Sequence, residues 1–132
     1  MKHHRVLVAD DIGTVRTVVR TLLVSLGVPD HQVFEAPDGA AALRLLRDES
    51  IDLVITDWNM PGATGLDVLA AVREQSETVP VILLTSNNHR GEVIQAIKAG
   101  ASDYVVKPFA RPVMLEKLAK WLRKDSQNKP ST

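Results

Sequence analysis

Cysteine is absent from this sequence of 132 residues, which excludes disulfide bonds and thiolate metal sites and favours the cytosol as the compartment. An excess of charge of one sign is also lacking. Lys and Arg total 16, as do Asp and Glu, so the formal net charge is zero. That balance predicts neither direct nucleic-acid binding nor attraction to anionic lipid. No apolar run approaches the roughly 20 residues of a membrane span, and the N-terminal run is too short for a signal peptide.

Five short runs rich in Val, Ile and Leu predict β-strands. Several are continuously apolar rather than alternating, which is typical of strands buried on both faces of a parallel sheet. Such buried strands need covering layers on either side. The predicted strands span residues 5–9, 32–36, 52–56, 80–85 and 103–107.

Helical periodicity fills the intervals between these strands. The predicted helices span about 15–26, 38–48, 64–75, 90–99 and 111–124, and glycines follow the first and the fourth as stop signals. For the later helices, the apolar positions are expected to face the core: Ala42, Leu43, Leu46, Leu66, Leu69, Ala70, Val72, Val93, Ile94, Ile97, Met114, Leu115, Leu118 and Leu122.

Regular alternation of strand and helix predicts the α/β class, as a (βα)5 doubly wound, five-stranded parallel sheet with right-handed crossovers. The expected strand order is 2-1-3-4-5, the flavodoxin-like arrangement. Residues 1–124 are predicted to form one domain. Residues 125–132 are polar and are interpreted as a tail or the stub of a linker.

Polar side chains follow four of the predicted strands where each strand ends. In this fold class, sites form at the carboxyl ends of strands beside the reversal of strand order. Three carboxylates in one cleft repel one another unless a cation lies among them, and oxygen ligands suit Mg²⁺. We therefore expect a magnesium site at the sheet edge that gathers Asp10, Asp11, Asp57, Thr85, Ser86 and Lys107.

Four motifs, spread over about residues 5–124, resemble those of a known protein family. They are VADD (8–11), TDWNMPGATG (56–65), LLTSN (83–87) and AGASDYVVKPF (99–109). With them the chain resembles the receiver domains of two-component response regulators, and especially the single-domain chemotaxis regulators of that family. The resemblance implies a phosphoacceptor rather than an enzyme, with at most weak self-catalysed phosphorylation and dephosphorylation.

Residue roles follow from the same resemblance. Asp57 would accept the phosphoryl group from a sensor histidine kinase, a phosphotransfer protein or a small phosphodonor. Asp11, Asp57 and the backbone carbonyl of Asn59 would bind Mg²⁺ directly, and Asp10 would act largely through a metal-bound water. The phosphoryl group would be contacted by Lys107, Thr85 and the backbone N–H of Ser86.

The resemblance also implies a conformational switch and a way of tuning its lifetime. Thr85 and Tyr104 would form the switch pair, which alters the surface of helix 4, strand 5 and helix 5 for a downstream partner. Side chains expected there are Lys98, Tyr104, Val106, Met114, Lys117 and Trp121. Asn59 and Asn87 would tune dephosphorylation, and the peptide bond before Pro108 is expected to be cis.

Three other interpretations stay open at this point. The chain could be an intermediate in a multistep phosphorelay, or the receiver of a longer regulator whose effector domain follows residue 132. A hydrolase that uses Asp57 as a turnover nucleophile is disfavoured, because no separate general acid is evident in the sequence.

Overall fold

Strands and helices alternate along the whole of the computed structural model, which describes residues 4–86 and 90–128. A single turn of 3-10 helix, Asp30–Gln32, precedes the second strand. None of the helices in this part of the chain combines the length and apolar character needed to cross a bilayer. The elements are β1 Val6–Ala9, α1 Gly13–Ser25, β2 Val33–Ala36, α2 Gly39–Asp48, β3 Leu53–Asp57, α3 Gly65–Gln75, β4 Val81–Thr85, α4 Arg90–Lys98, β5 Asp103–Val106 and α5 Arg111–Asn128.

The five strands form one parallel sheet in the order β2-β1-β3-β4-β5, which confirms the predicted fold class and strand order. Strand β1 lies inside the sheet, where Val6 pairs with Val33 on one side and with Leu53 on the other. Every residue of β1, β3 and β4 is buried. The continuous apolar runs in the sequence therefore reflect burial on both faces.

Two apolar layers cover the sheet, because successive strand residues point to opposite faces. Val6 and Val8 lie in a core with α1 and α5, to which Leu23 and Leu118 contribute. On the opposite face, Leu7 belongs to a core built with α2 and α3. The strand ends are thus held from both sides, which fixes the positions of the polar residues that follow them.

Two predicted helix faces are wrong in part. In α4, Ile94 and Ile97 are 51% and 56% exposed, and Ala96 is the buried residue at 2%. The larger apolar residues therefore do not mark the inner face of this helix. In α3, Ala70 is exposed and Val68 is buried instead.

Helix α5 buries Met114, Leu118 and Leu122 as predicted, and Leu115 is partly buried against the same core. Met114 is fully buried, so its predicted place on a partner-binding surface is wrong. The helix continues to Asn128, beyond its predicted end at 124, because neither Pro nor Gly interrupts it before residue 130. The division of the chain at residue 124 stays a prediction.

Candidate functional site

Buried polar side chains gather at one edge of the sheet. Within the described ranges, the buried polar residues are Asp10, Thr56, Asp57 and Thr85. Asp10 directly follows β1, whereas Asp57 and Thr85 are the last residues of β3 and β4. Because these three strands are parallel neighbours, their carboxyl ends meet at the same edge. Burial of polar groups in an otherwise apolar sheet identifies this edge as the candidate site.

Three carboxylates lie together at this edge. Asp10, Asp11 and Asp57 each offer an oxygen, and the three oxygens lie within 4.8 Å of one another. Asp10 is fully buried, Asp57 is 8% exposed, and Asp11 is open to solvent. One oxygen of Asp10 is already engaged, because its Oδ1 accepts a 2.8 Å hydrogen bond from the N–H of Ile12. The cluster therefore has one solvent-facing side, formed by Asp11.

Lys107 supplies the positive charge of the site. Its Nζ lies 2.7 Å from Asp10 Oδ2 and 3.4 Å from Asp57 Oδ2. Its backbone N–H donates a 2.7 Å hydrogen bond to the carbonyl of Thr85, which fixes the lysine beside the end of β4. The peptide bond between Lys107 and Pro108 is cis, as expected from the sequence.

The loop after β3 is held by backbone hydrogen bonds to the end of β4 and to the start of α3. The N–H of Trp58 donates to Leu84 O at 2.8 Å, and the N–H of Gly65 donates to Trp58 O at 2.8 Å. A Cβ at Gly65 would lie 2.4 Å from Asp57 O, so only glycine permits this approach. The loop leaves Asn59 exposed, two residues beyond Asp57.

Comparison with known proteins identifies the family of this chain. Residues 6–119 match the response regulator receiver domain. The chain belongs to that family. It is 42% identical over 118 residues to the chemotaxis protein CheY of Pseudomonas aeruginosa, which covers 88% of this chain and 94% of that protein. Receiver domains of this kind are phosphoacceptors rather than enzymes in the ordinary sense.

Solved receiver structures have the same fold. The chemotaxis response regulator CheY4 of Vibrio cholerae superposes with a TM-score of 0.81 at 30% identity, over 91% of this chain and 99% of that one. The signal receiver domain of an HD domain-containing protein from Pseudomonas fluorescens Pf-5 gives a TM-score of 0.84 at 26% identity, over 96% of this chain and 100% of that one. The family assignment thus holds for sequence and fold together.

The receiver's acidic site raises the pKa of two of its groups. The higher pKa favours the neutral form of Asp57 and the charged form of Lys107. Burial and the nearby charge of Asp10 raise the pKa of Asp57, and the ammonium of Lys107 only partly opposes this. Burial alone would lower the pKa of Lys107, but hydrogen bonds and charge from Asp10 and Asp57 outweigh it and raise that pKa. The lysine therefore stays an ammonium, and further positive charge beside Asp57 would favour its carboxylate form.

The residues of the receiver's acidic pocket fit a magnesium ion. Receiver domains bind Mg²⁺ through such a pocket, and the donor set here is entirely oxygen. Mg²⁺ prefers one or two carboxylates with carbonyl and water oxygens, so the exposed Asp11 and the buried Asp57 suit it. Burial and the charge of Asp10 raise the pKa of Asp57, and a cation bound beside it would oppose both effects.

The other predicted site residues of the receiver differ in position and in depth. Thr85 is 3% exposed at the end of β4, and Ser86 follows it on the surface. Tyr104, on the edge strand β5, is 38% exposed. Asn87 lies outside the described residues.

An open groove with a volume of about 490 Å³ adjoins Lys107 and Ser86. Its walls come from the start of α1 and from the segment that joins β5 to α5. Ile12, one of the apolar wall residues, is 48% exposed. The groove is lined by Ile12, Thr14, Val15, Val18, Ser86, Lys107, Pro108, Phe109 and Arg111.

Sequence reasoning missed two polar networks of this receiver. Arg16 and Arg20, one helical turn apart on α1, both bind Glu35 of β2. At the start of β5, Asp103 accepts hydrogen bonds from Lys117 Nζ at 2.8 Å and Trp121 Nε1 at 2.9 Å. For the network of Arg16, Arg20 and Glu35, the sequence did hold a signal, because i, i+4 spacing places both arginines on one face of α1. The second depends on how α5 packs along β5, which no local pattern encodes.

Proposed function

We propose that this receiver accepts a phosphoryl group on Asp57 in a Mg²⁺-dependent reaction and then binds a partner through an altered surface. The donor is a phosphohistidine of a sensor histidine kinase or phosphotransfer protein, or a small phosphodonor. The observation that carries the proposal is the position of Lys107 Nζ, which is shared between Asp10 Oδ2 at 2.7 Å and Asp57 Oδ2 at 3.4 Å. A second cationic centre beside the same acids would complete a pocket for a phosphoryl group.

The proposed metal ligands are the carboxylates of Asp11 and Asp57 with the backbone carbonyl of Asn59. Mg²⁺ held there would offset the negative charge of the acids and of the incoming phosphoryl oxygens. Asp10 is suited to an indirect role, since Oδ1 accepts from Ile12 and Oδ2 lies against Lys107. It would hold a coordinated water rather than bind the ion itself.

The transfer step uses the carboxylate of Asp57 as the nucleophile. One of its oxygens forms a bond to phosphorus as the phosphorus–nitrogen bond of the phosphohistidine breaks. The electron pair of that bond stays on the departing imidazole, and Asp57 becomes an acyl phosphate. Little covalent chemistry falls to the protein, because such transfers depend on positioning and charge.

Three residues would then contact the phosphoryl oxygens. Lys107 would keep its ammonium but exchange Asp57 Oδ2 for a phosphoryl oxygen, which a compact, mobile charge does readily. Thr85 would donate its hydroxyl, and Ser86 its backbone N–H. Water attack on the acyl phosphate would be slow and self-catalysed, with Asn59 and Asn87 tuning its rate.

The proposed signal is a shift between two existing arrangements of Thr85 and Tyr104. Rotation of Thr85 toward the phosphoryl group would free space for the ring of Tyr104, which is 38% exposed here. The surface of α4, β5 and α5 would change with it. That surface already exposes Ile94, Ile97 and Val113, which favours a protein partner over a small ligand.

The match to CheY proteins favours a chemotaxis role in the cytoplasm, with the chain as a single-domain regulator. A longer regulator is the second candidate. It is favoured by the fold likeness to a receiver that belongs to an HD domain-containing protein. A phosphorelay intermediate would use the same Asp57 chemistry but pass the group to another histidine.

Mass measurement tests the proposal directly. The protein is incubated with acetyl phosphate, with Mg²⁺ or with EDTA, and intact masses are compared for the original chain, Asp57→Asn and Glu74→Gln. Glu74 is an exposed acid of α3 and serves as the matched control. We expect one added phosphoryl group on the original chain and on Glu74→Gln, only with Mg²⁺, and none on Asp57→Asn. Equal phosphorylation of Asp57→Asn, or no dependence on Mg²⁺, would overturn the proposal.

A further inference from the structure

We infer that Arg16, held in place by Glu35, is a positioning residue for the acidic pocket and sets its affinity for Mg²⁺. The inference rests on the proposed function, because it concerns the same metal site. Arg16 touches neither the phosphoryl acceptor nor any proposed metal ligand. It would act through the backbone of Asp10, the residue directly before Asp11.

Arg16 links three elements at the edge of the site. Its Nη1 donates a 2.6 Å hydrogen bond to the backbone carbonyl of Asp10. Its Nε donates a 2.9 Å hydrogen bond to Glu35 Oε1. A planar guanidinium with donors in a fixed fork makes both contacts at once, so the position of Glu35 on β2 determines where the Asp10 carbonyl is held.

Both peptide groups of Asp10 are thereby fixed. The N–H of Asp10 donates to Ala36 O on β2 at 3.0 Å, and its carbonyl accepts from Arg16. Because each peptide unit is planar, fixing these two groups fixes the backbone on both sides of the Asp10 Cα. They therefore fix the position of the Asp11 Cα, from which the Asp11 side chain extends to the acidic cluster.

The positive charge of Arg16 is balanced by the carboxylate of Glu35, with which it forms an ion pair. Burial alone would raise the pKa of Glu35, but hydrogen bonds from Arg20 and Arg16 outweigh it and lower that pKa, so Glu35 stays a carboxylate. The Arg16 side chain is 19% exposed and that of Glu35 is 28% exposed. A balanced pair adds little net field at the metal site, so the hydrogen-bonding fork rather than the charge is the expected source of the effect.

Arg20 provides a matched control on the same helix. It donates to Glu35 Oε2 at 2.7 Å, and also to Asp30 and to the carbonyl of Val33. Within the described part of the chain, the hydrogen bonds of Arg20 do not reach Asp10. Arg16→Lys and Arg20→Lys therefore remove the same fork, keep the same charge and disturb the same glutamate, but only the first releases the Asp10 carbonyl.

The test is a Mg²⁺ titration followed by tryptophan fluorescence, since Trp58 directly follows Asp57. Thermal unfolding without Mg²⁺ is measured on the same samples. We expect Arg16→Lys to raise the Kd for Mg²⁺ by about tenfold and Arg20→Lys to change it by less than about twofold, although Arg20→Lys disturbs more hydrogen bonds and should lose at least as much in Tm. Glu35→Gln, which weakens the support of Arg16, should raise the Kd by an intermediate factor.

Equal Kd values for Arg16→Lys and Arg20→Lys would overturn the inference and leave the proposed function standing. An unchanged Kd in Arg16→Lys with a changed Kd in Arg16→Gln would overturn it too, because charge would then be the cause. If Arg16→Lys failed to fold, Glu35→Gln would be used in its place. A Kd for Mg²⁺ in Glu35→Gln equal to that of the original chain would then overturn the inference. Absence of any Mg²⁺ response in the original chain would overturn the proposed function and, with it, this inference.

Discussion

The Nζ of Lys107 lies 3.4 Å from Asp57 Oδ2. The same ammonium lies closer to Asp10, at 2.7 Å from its Oδ2. Lys107 is therefore anchored mainly on the fully buried acid and reaches the partly accessible one across the pocket. Such an arrangement lets the lysine keep one partner while its contact with Asp57 is exchanged.

Replacing Lys107 should separate metal binding from phosphorylation. In Lys107→Ala the acids lose their ammonium, so we expect a lower Kd for Mg²⁺, by about threefold or more, because a competing positive charge is gone. Phosphorylation by acetyl phosphate should nevertheless slow by at least about tenfold, since no group replaces the lysine at the phosphoryl oxygens. Fluorescence titration and intact-mass time courses measure the two quantities.

The control for that prediction is Lys117→Ala, which removes a lysine bound to Asp103 on the far end of β5. It should leave both the Kd and the phosphorylation rate close to those of the original chain. Weaker Mg²⁺ binding in Lys107→Ala would contradict the idea that the lysine and the metal compete for the same acids.

Removing the charge of Asp57 should stabilise the protein in the absence of Mg²⁺. Burial and the charge of Asp10 raise the pKa of Asp57, so the folded state binds more protons than the unfolded state between the two pKa values. Stability then falls as the pH rises through this window, and the penalty persists above it. Asp57→Asn removes the penalty and should gain on the order of 1 kcal/mol at neutral pH.

Urea unfolding from pH 3.5 to 7.5, with EDTA present, measures this difference. The advantage of Asp57→Asn should disappear toward the acidic end, where Asp57 is protonated in the original chain. Added Mg²⁺ should raise the stability of the original chain more than that of the variant. A variant less stable than the original chain at pH 7.5 in EDTA would contradict the prediction.

Much of the fold was predictable because the strong signals are local. The continuous apolar strands, the alternation with helices and the polar residues at the strand ends all lie in the sequence itself. In a parallel sheet, those polar residues have only one edge at which to meet. Asp10, Asp57, Thr85 and Lys107 were therefore predictable as a group, before any distance between them was known.

The inner face of α4 was not predictable from periodicity. Ile94 and Ile97 have the spacing of a buried stripe but lie on the surface, and Ala96 is buried. Which side of a short helix faces the sheet depends on how closely its backbone approaches, and only the packed structure determines that. Apolar residues on a partner-binding face of a helix can also have the same spacing as a buried face, so spacing alone does not distinguish the two.

The supporting contacts of the site were hidden for a different reason. Glu35 and Arg16 lie 19 positions apart, and their meeting depends on the pairing of β1 with β2. Gly65 carries no chemical function, yet a Cβ there would lie 2.4 Å from Asp57 O. Contacts of this kind follow from tertiary packing rather than from the chemistry of a motif.

Two glycines offer a matched test of that packing. A Cβ at Gly65 would lie 2.4 Å from Asp57 O and 3.0 Å from Trp58 Cα, both backbone atoms that have little room to move. Gly65→Ala should therefore lose about 2–3 kcal/mol of stability and displace the carboxylate of Asp57. Chemical denaturation gives the first effect, and slower phosphorylation by acetyl phosphate gives the second.

Gly91→Ala is the control, because no atom of the described residues lies within 4 Å of a Cβ at that position in α4. It should gain up to about 1 kcal/mol, since alanine has the higher helix propensity. Phosphorylation should be unchanged in this variant. Equal effects of the two substitutions on stability would contradict the packing argument for Gly65.

The network around Asp103 should make stability depend on pH in the opposite sense to Asp57. Burial alone would raise the pKa of Asp103, but hydrogen bonds from Lys117, Trp121 and the N–H of Tyr104 outweigh it and lower that pKa. The stabilisation is thus fully present above the ordinary pKa of 3.8 and is lost as the pH falls through the lower folded-state value. Asp103→Asn should cost about 1–2 kcal/mol at pH 7.

The difference in unfolding free energy between the original chain and Asp103→Asn should shrink below about pH 4, as protonation removes the charge that the variant already lacks. Trp121 reports the same event, because its Nε1 donates to Asp103 Oδ2 at 2.9 Å. With Trp58 replaced by Phe in both proteins, the Trp121 emission should shift on acidification in the chain that keeps Asp103 and stay constant in Asp103→Asn. Since α5 is held to β5 through this carboxylate, a constant difference from pH 7 to pH 3 would mean that packing alone holds the helix there.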